Sequence, residues 1–276
     1  MILSRLLFSG SAFTIRNGAC QLLASSRFLI YRQQQLNKMT MSAGRSSDED
    51  SGNYQLAQDP SELFDIYPDP PTTSHFNSII KHDWGESYFP SPQPTGKVKK
   101  RSEVHKDGDW HRSMHIWLYH ADSTNDNVRV LLQRRSPYKD THPNLLDVSC
   151  AGHVNAGDDV LETTMREMEE ELGITGRYSL GDLTNSKMFT VTSAIEGETE
   201  KHGKYVCREY QDVFILKWKG GVPMEANDFV PIVKEEVSGF EIIGGQELIN
   251  KLRQGNEELV SRSAQYIDAL AKVFGC

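Results

Sequence analysis

The sequence predicts an α/β layered domain of about 175 residues, in which short strands interleave with a few helices. Three observations carry that reading. Met114–Tyr119 and Val128–Leu132 are apolar, β-favouring runs around a polar turn at Asp122–Asn127, the pattern of two paired strands. A helical apolar period, bounded by aspartates and a glycine, runs from about Asp159 to Leu172. Further strand and helix patterns follow it to the end of the chain, with no internal repeat.

From the N-terminus, residues 1–47 hold six of the 30 basic residues (Arg5, Arg16, Arg27, Arg32, Lys38 and Arg45) and none of the 38 acidic ones. Ser, Leu and Phe abound there, which is the composition of an organelle transit peptide, with the mitochondrion ahead of the plastid. A secretory signal fits less well, because Arg5 interrupts the first apolar stretch. Initiation at Met39 or Met41 would instead leave a cytosolic chain. Residues 48–96 read as a flexible extension, polar at first and then proline-rich over 67–96. The folded domain is expected over 97–276.

Within that domain, Leu145–Ser149 is a third strand candidate. The helix at Asp159–Leu172 takes Asp158 or Asp159 as its cap and Gly173 as its stop. Strands are expected around Lys187–Ala194, Tyr205–Trp218 and Lys234–Ile242. Two helices close the chain, one over Gln246–Arg253 and one from an Asn256 cap to Gly275. The second presents Leu259, Tyr266, Ile267, Leu270 and Phe274 on one face, and left exposed it would support a homodimer.

Composition narrows the function classes. All the acidic residues follow the basic leader, so the body is strongly anionic. A general binder of nucleic-acid polymer needs the opposite charge. An enzyme that collects divalent cations is compatible with it. No apolar run nears the roughly 18–20 residues that span a bilayer, so a soluble protein without a membrane partner is expected. Cys20, Cys150, Cys207 and Cys276 are scattered, which suits free thiols in a reducing compartment.

The acids of the helix are its informative part. Leu161, Met165, Met168 and Leu172 recur at helical spacing and form the expected buried stripe. Glu167, Glu170 and Glu171 group on another face, roughly 130° around. Carboxylates held that close repel one another unless a cation sits among them, and oxygen ligands suit Mg²⁺ or Mn²⁺. Arg166, one turn from both Glu162 and Glu170, is placed to orient the cluster. A solvated acidic face is the plain alternative for the three glutamates alone.

Gly152, Asp158, Arg166, Glu167, Met168, Glu170, Glu171, Gly173 and Ile174 together resemble the Nudix box, with Asp158 where most members carry Glu. The resemblance implies the Nudix fold, a mixed sheet sandwiched between helices, and hydrolysis of a small-molecule diphosphate. It implies that Glu167, Glu170, Glu171 and the Gly152 carbonyl hold metal and that Glu170 or Glu171 takes the proton of the attacking water. Glu236 is an outside candidate for the same proton transfer and a further candidate on the substrate side. Arg135 and Lys139 would bind the distal phosphates.

The flanks resemble the isopentenyl-diphosphate-isomerase branch at Arg101–His105, Asp109–His111, Gln133–Arg135, Lys139, Pro143, Asp147, Ala151–His153, Glu209, Asp212–Phe214 and Lys234–Val237, with a weaker echo at Leu63–Ile66. The isomerases hold a second metal on histidines and a glutamate, and His111, His153 and Glu209 match those positions, with His105 near a fourth. Their catalytic cysteine directly precedes the Gly-His pair. Ala151 stands there in this chain, and Cys150, one residue earlier on an extended segment, points to the other side. Isomerase-like activity on a prenyl diphosphate and a weakly catalytic diphosphate-binding module are the alternatives. Trp110, Trp117, Phe189 and Tyr210 are candidates to stack on a nucleobase, or plain core residues.

Overall fold

The computed structural model describes residues 59–70, 92–122, 127–139, 141–199, 203–221 and 223–276. The transit peptide expected over 1–47, the first part of the polar extension and the centre of the proline-rich stretch lie outside the described residues. Among the described residues, no helix is long and apolar enough to cross a membrane.

A mixed seven-stranded sheet organises the domain. It contains β3 (Trp110–Ala121), β4 (Val128–Arg135), β5 (Leu146–Asp147), β6 (Cys150–His153), β7 (Lys187–Thr199), β8 (Gly203–Lys217) and β9 (Val237–Gly244). β3 is its spine. One edge of β3 pairs parallel with β8 from Trp110↔Arg208 to Tyr119↔Lys217. Its other edge divides, meeting β4 at Tyr119–Ala121 and β6 at Ser113–Ile116, both antiparallel. The other ladders are antiparallel, with β7 on β8, β5 on β4 and β9 on the free edge of β4.

Alternation along β3 sends its side chains to opposite layers. Met114, Ile116 and Leu118 join Cys150, Phe214 and Leu216 under α2 (Val160–Leu172). Trp117 joins Val130, Val213 and Ile215 under α4 (Gly245–Arg253) and α5 (Ala264–Phe274). The sheet is therefore sandwiched between helices, as the sequence predicts. Cys150 lies in the α2 layer and Ala151 packs against the α5 layer, on opposite sides as expected.

Four local features depart from the sequence reading. The last helix does not start at Asn256. Glu258–Val260 instead runs beside β5, with Leu146 N–H donating to Glu258 O and Val260 N–H to Leu146 O, and Ser263 caps α5. The apolar face of α5 is not exposed either, because Tyr266, Ile267, Leu270 and Phe274 are buried against the sheet, which removes the dimer surface expected there. The third strand, expected over Leu145–Ser149, shortens to β5, and β6 follows beyond its expected end. Two short helices, α1 (Arg101–Asp107) and α3 (Leu180–Ser186), and the pair β1 (Leu63–Asp65) with β2 (Val98–Lys100) lack a periodic signal.

β1 also moves the domain boundary. Phe64 is fully buried among β3 and β6 residues, so packing does not stop at residue 97.

Candidate functional site

The acid helix α2 begins at Asp159, whose carboxylate accepts from the N–H groups of Leu161 (2.8 Å) and Glu162 (3.3 Å). It stops at Gly173, in the left-handed region at φ 68°, where a Cβ would fall 2.0 Å from the Val230 carbonyl oxygen. The segment after that contact caps the helix from outside. Val230 N–H donates to Leu172 O, and Ile232 and Val233 N–H both donate to Glu170 O, which satisfies carbonyls that a helix end leaves open. Asp65 holds the opposite end, accepting from Gly157 N–H at 2.8 Å, while Leu63 O accepts from Ala156 N–H at 2.7 Å.

The helix is rotated from the expected phase. Val160, Thr163, Thr164, Glu167, Met168, Glu171 and Leu172 are buried, whereas Leu161 and Met165 are only partly so. The buried face thus lies roughly 80° toward the acids, so Glu167 and Glu171 point inward. A solvated acidic face is excluded.

The Glu167 carboxylate lies against Gly152, where an added Cβ would meet its Cδ at 2.5 Å, so only glycine leaves room for it. Arg166 Nη1 holds it at 2.9 Å and Glu170 at 3.2 Å. Glu171 Oε2 accepts from Ala151 N–H at 2.9 Å, while Oε1 is buried without a hydrogen-bond partner. Lys139 Nζ stands 3.9 Å from that oxygen and is ion-paired with Glu236. Burial raises the Glu167 carboxyl well above the usual carboxylate range, the Arg166 guanidinium offsets part of this, and Glu170, Glu171 and Glu236 add to it. Burial likewise raises Glu171 to about 7, against Lys139 and with Glu236. Negative charge crowded around an orphaned buried oxygen is the donor set that a hard divalent cation relieves.

Arg135 does not reach this cluster. Its guanidinium is buried against Asp147 at 3.0 Å and the Thr141 carbonyl at 2.9 Å, so the distal-phosphate role expected of it is corrected to a structural ion pair. Asp147 also pairs with Arg262, and both arginines hold its carboxyl down to about 2 although burial opposes this.

The histidines gather on the other side of β6. Glu209, opposite His111 in the β3–β8 register, accepts from His153 Nε2 at 3.1 Å, Gln211 Nε2 at 2.8 Å and Ser113 Oγ at 3.1 Å. Burial opposes its ionisation, but His153, the neighbouring His111 and the Gln211 hydrogen bond outweigh it and hold the carboxyl well below the usual carboxylate range. His111 Nε2 lies 3.7 Å from Glu209 Oε1. Burial lowers His111, and burial with the Arg101 guanidinium lowers His153 well below the usual imidazole range. Phe64 stacks on both rings, at centroid distances of 5.3 and 5.0 Å. His111, His153 and Glu209, the trio expected from the sequence, present ligand atoms within 4.8 Å of one another, as do His105, His111 and Cys207. Cys207 was not expected. Its place two residues before Glu209 on one strand puts both on one face, a signal the sequence does hold.

Of the four candidate stacking aromatics, Trp117, Phe189 and Tyr210 are buried core. Trp110 lines a cleft of about 340 Å³ with Tyr67, Lys97 and Arg208.

The NUDIX domain family matches residues 109–262, which contain the acid helix, Lys139 and the histidine strands. The chain belongs to the NUDIX family. It is 36% identical over 178 residues to Nudix hydrolase 3 of Arabidopsis thaliana, covering 64% of this chain and 20% of that one. A Nudix hydrolase of Clostridium acetobutylicum is 33% identical over 143 residues, 50% of this chain and 63% of that one. The isopentenyl-diphosphate Delta-isomerase of Serratia proteamaculans is 26% identical over 134 residues, 48% of this chain and 66% of that one. This NUDIX chain therefore spans a fifth of the plant relative and under two thirds of the two bacterial ones.

Proposed function

We propose that the chain is a Nudix pyrophosphohydrolase that cleaves the diphosphate bond of a nucleoside diphosphate derivative or related organic diphosphate, with Mg²⁺ or Mn²⁺ on α2. The carrying observation is Glu171, a buried carboxylate with one orphaned oxygen among Glu167, Glu170 and Glu236. Glu167, Glu170, Glu171 and the Gly152 carbonyl would hold the cation. When bound, it supplies charge neutralisation on the diphosphate and a more acidic water. Arg166 fixes the directions of Glu167 and Glu170. Glu170 or Glu171 would take the proton of the attacking water. Lys139 can shift from Glu236 to a phosphate oxygen as substrate enters, leaving Glu236 at the substrate's edge. A second cation is proposed at the histidine cluster around Glu209. The acid-free 1–47 segment supports delivery to the mitochondrion, which fractionation of cells making the full chain checks.

Phosphorus NMR with Mg²⁺ or Mn²⁺ and ADP-ribose, NADH, CoA, nucleoside triphosphates or isopentenyl diphosphate identifies the substrate class. Glu170→Gln should lower turnover by roughly 10²- to 10⁴-fold with the melting temperature held. Unchanged turnover in the folded variant sinks the assignment.

The histidine cluster, on the side of the sheet that Ala151 faces, favours isomerase-like chemistry as the second reading. Ala151 offers no proton there, and the Cys150 thiol is buried in the opposite layer. A shifted double bond with intact phosphorus signals would select it.

A further inference from the structure

We propose that the histidine cluster beneath Phe64 is a zinc-class centre whose ligands are His105, His111 and the Cys207 thiolate, completed by Glu209, with His153 outside the ligand set. This rests on the second cation proposed above and names its ligands and its chemistry.

The tautomers separate the two overlapping trios. His111 Nδ1 lies 3.2 Å from the Asp109 carbonyl oxygen, which can only accept, so Nδ1 carries the proton. Its Nε2 lone pair then faces the cluster, wholly buried and with no hydrogen-bond partner. An imidazole anchored through one nitrogen to a backbone carbonyl, with the other free, is the arrangement that metal-binding histidines show. His153 is set the opposite way. Arg101 Nη1, which can only donate, lies 3.3 Å from its Nδ1. Nε2 therefore carries the proton and donates it to Glu209 at 3.1 Å. Both His153 nitrogens are committed, and neither offers a lone pair.

Cys207 fills the vacancy in the donor set. Its Sγ donates to Glu209 Oε1 at 3.3 Å, and its ligand atom lies within 4.8 Å of those of His105 and His111. Bonds of about 2.0 Å to nitrogen and 2.3 Å to sulfur place tetrahedral ligand atoms roughly 3.5 Å apart, so the trio needs only a modest contraction. Two imidazoles, a thiolate and a carboxylate select Zn²⁺ over the hard cations that suit the acid helix. Metal entry displaces the thiol proton to solvent. The ligands come from α1, β3 and β8, and the buried Phe64 ring stacks on His111, so the centre would bind α1 to the sheet as a closed structural site.

The test is titration of the chelator-treated full chain with Co²⁺, a spectroscopic stand-in for Zn²⁺. The expected result is one bound Co²⁺ with a near-ultraviolet thiolate-to-metal charge-transfer band, displaced by Zn²⁺, and a Zn²⁺-dependent rise in melting temperature. Cys207→Ser should abolish the band and weaken Zn²⁺ binding at least about tenfold, as much as losing even an outer-shell partner costs. Cys276→Ser should keep both. Co²⁺ bound without the band overturns the proposal, as does a band that survives in Cys207→Ser. No binding at all overturns it together with the second-cation reading, while hydrolysis measured by phosphorus NMR remains a separate outcome. Should Cys207→Ser fail to fold, a missing band in the unaltered chain still refutes the proposal, and a band kept by Cys276→Ser still supports it.

Discussion

Gly152→Ala isolates the role of close packing at the acid helix. The glycine does not occupy the left-handed region, so its backbone accepts alanine without strain and the consequence is steric. The new Cβ would fall 2.5 Å from Glu167 Cδ and 2.7 Å from both Cγ and Oε1. Ordinary heavy-atom contacts begin near 3.5 Å, so the carboxylate must retreat by on the order of 1 Å. Glu167 has little room for this, since it is buried and Arg166 holds it at 2.9 Å. Overpacking of this kind costs about 1–3 kcal/mol, which the domain should survive. A shift of about 1 Å in a proposed metal ligand costs roughly 10²-fold in rate. The assay pairs kcat/KM over an Mg²⁺ and Mn²⁺ titration with thermal melting. Gly157→Ala is the control, because its φ of 78° gives strain while open space leaves the acids undisturbed. A folded Gly152→Ala chain with parental kcat/KM and metal dependence would refute the reasoning.

Two further outcomes follow from buried charge. The folded chain holds Glu171 at about 7, above the ordinary 4.5, so its stabilising contribution is complete below about pH 4.5 and is lost as pH rises through about 7. Between about pH 4.5 and 7 the metal-free parent should therefore lose on the order of 3 kcal/mol relative to Glu171→Gln, read as the difference between the two melting profiles, because the buried histidines shift both alike. Metal affinity should rise over the same interval, and parallel melting profiles for the parent and Glu171→Gln argue against the buried carboxylate. Separately, Asp212, wholly buried, accepts from Arg112 Nε at 2.6 Å and Thr190 Oγ1 at 2.6 Å. Asp212→Ala strands the guanidinium and should cost about 3–5 kcal/mol in denaturant unfolding, with a near-neutral result counting against an integral pair.

The acid helix was legible because several local signals agreed: an aspartate cap, a glycine stop and carboxylates three and four apart. Its rotation was not. Leu161 and Met165 fit a helical stripe as well as the true face does, and only the tertiary placement of Gly152 under Glu167 shows that acids take the buried positions. Paired strands were legible where apolar runs were long, as in β3 and β4. The short elements β1, β2, α1 and α3 hold three to seven residues, too few for a period to appear. Residues 256–263 misled because Asn256 can cap a helix and Leu259 falls in step with Tyr266, while the backbone of Glu258–Val260 pairs beside β5. Arg135 was read by charge alone, and its partner Asp147 was visible in the sequence without any sign that the two would meet.

The hydrogen bonds at the two ends of α2 make the helix a beam fixed at both supports. One support is β1, about a hundred residues upstream of the acids, and the other is the 230–233 segment, about sixty residues downstream. Neither lies in the helix or beside it in sequence, so its aim is a property of the whole fold. A shortened chain beginning at residue 97 would keep every acid of the helix and lose one support. Insertions are best tolerated where they leave both supports at their distance, which places the room for them in the turns between strands.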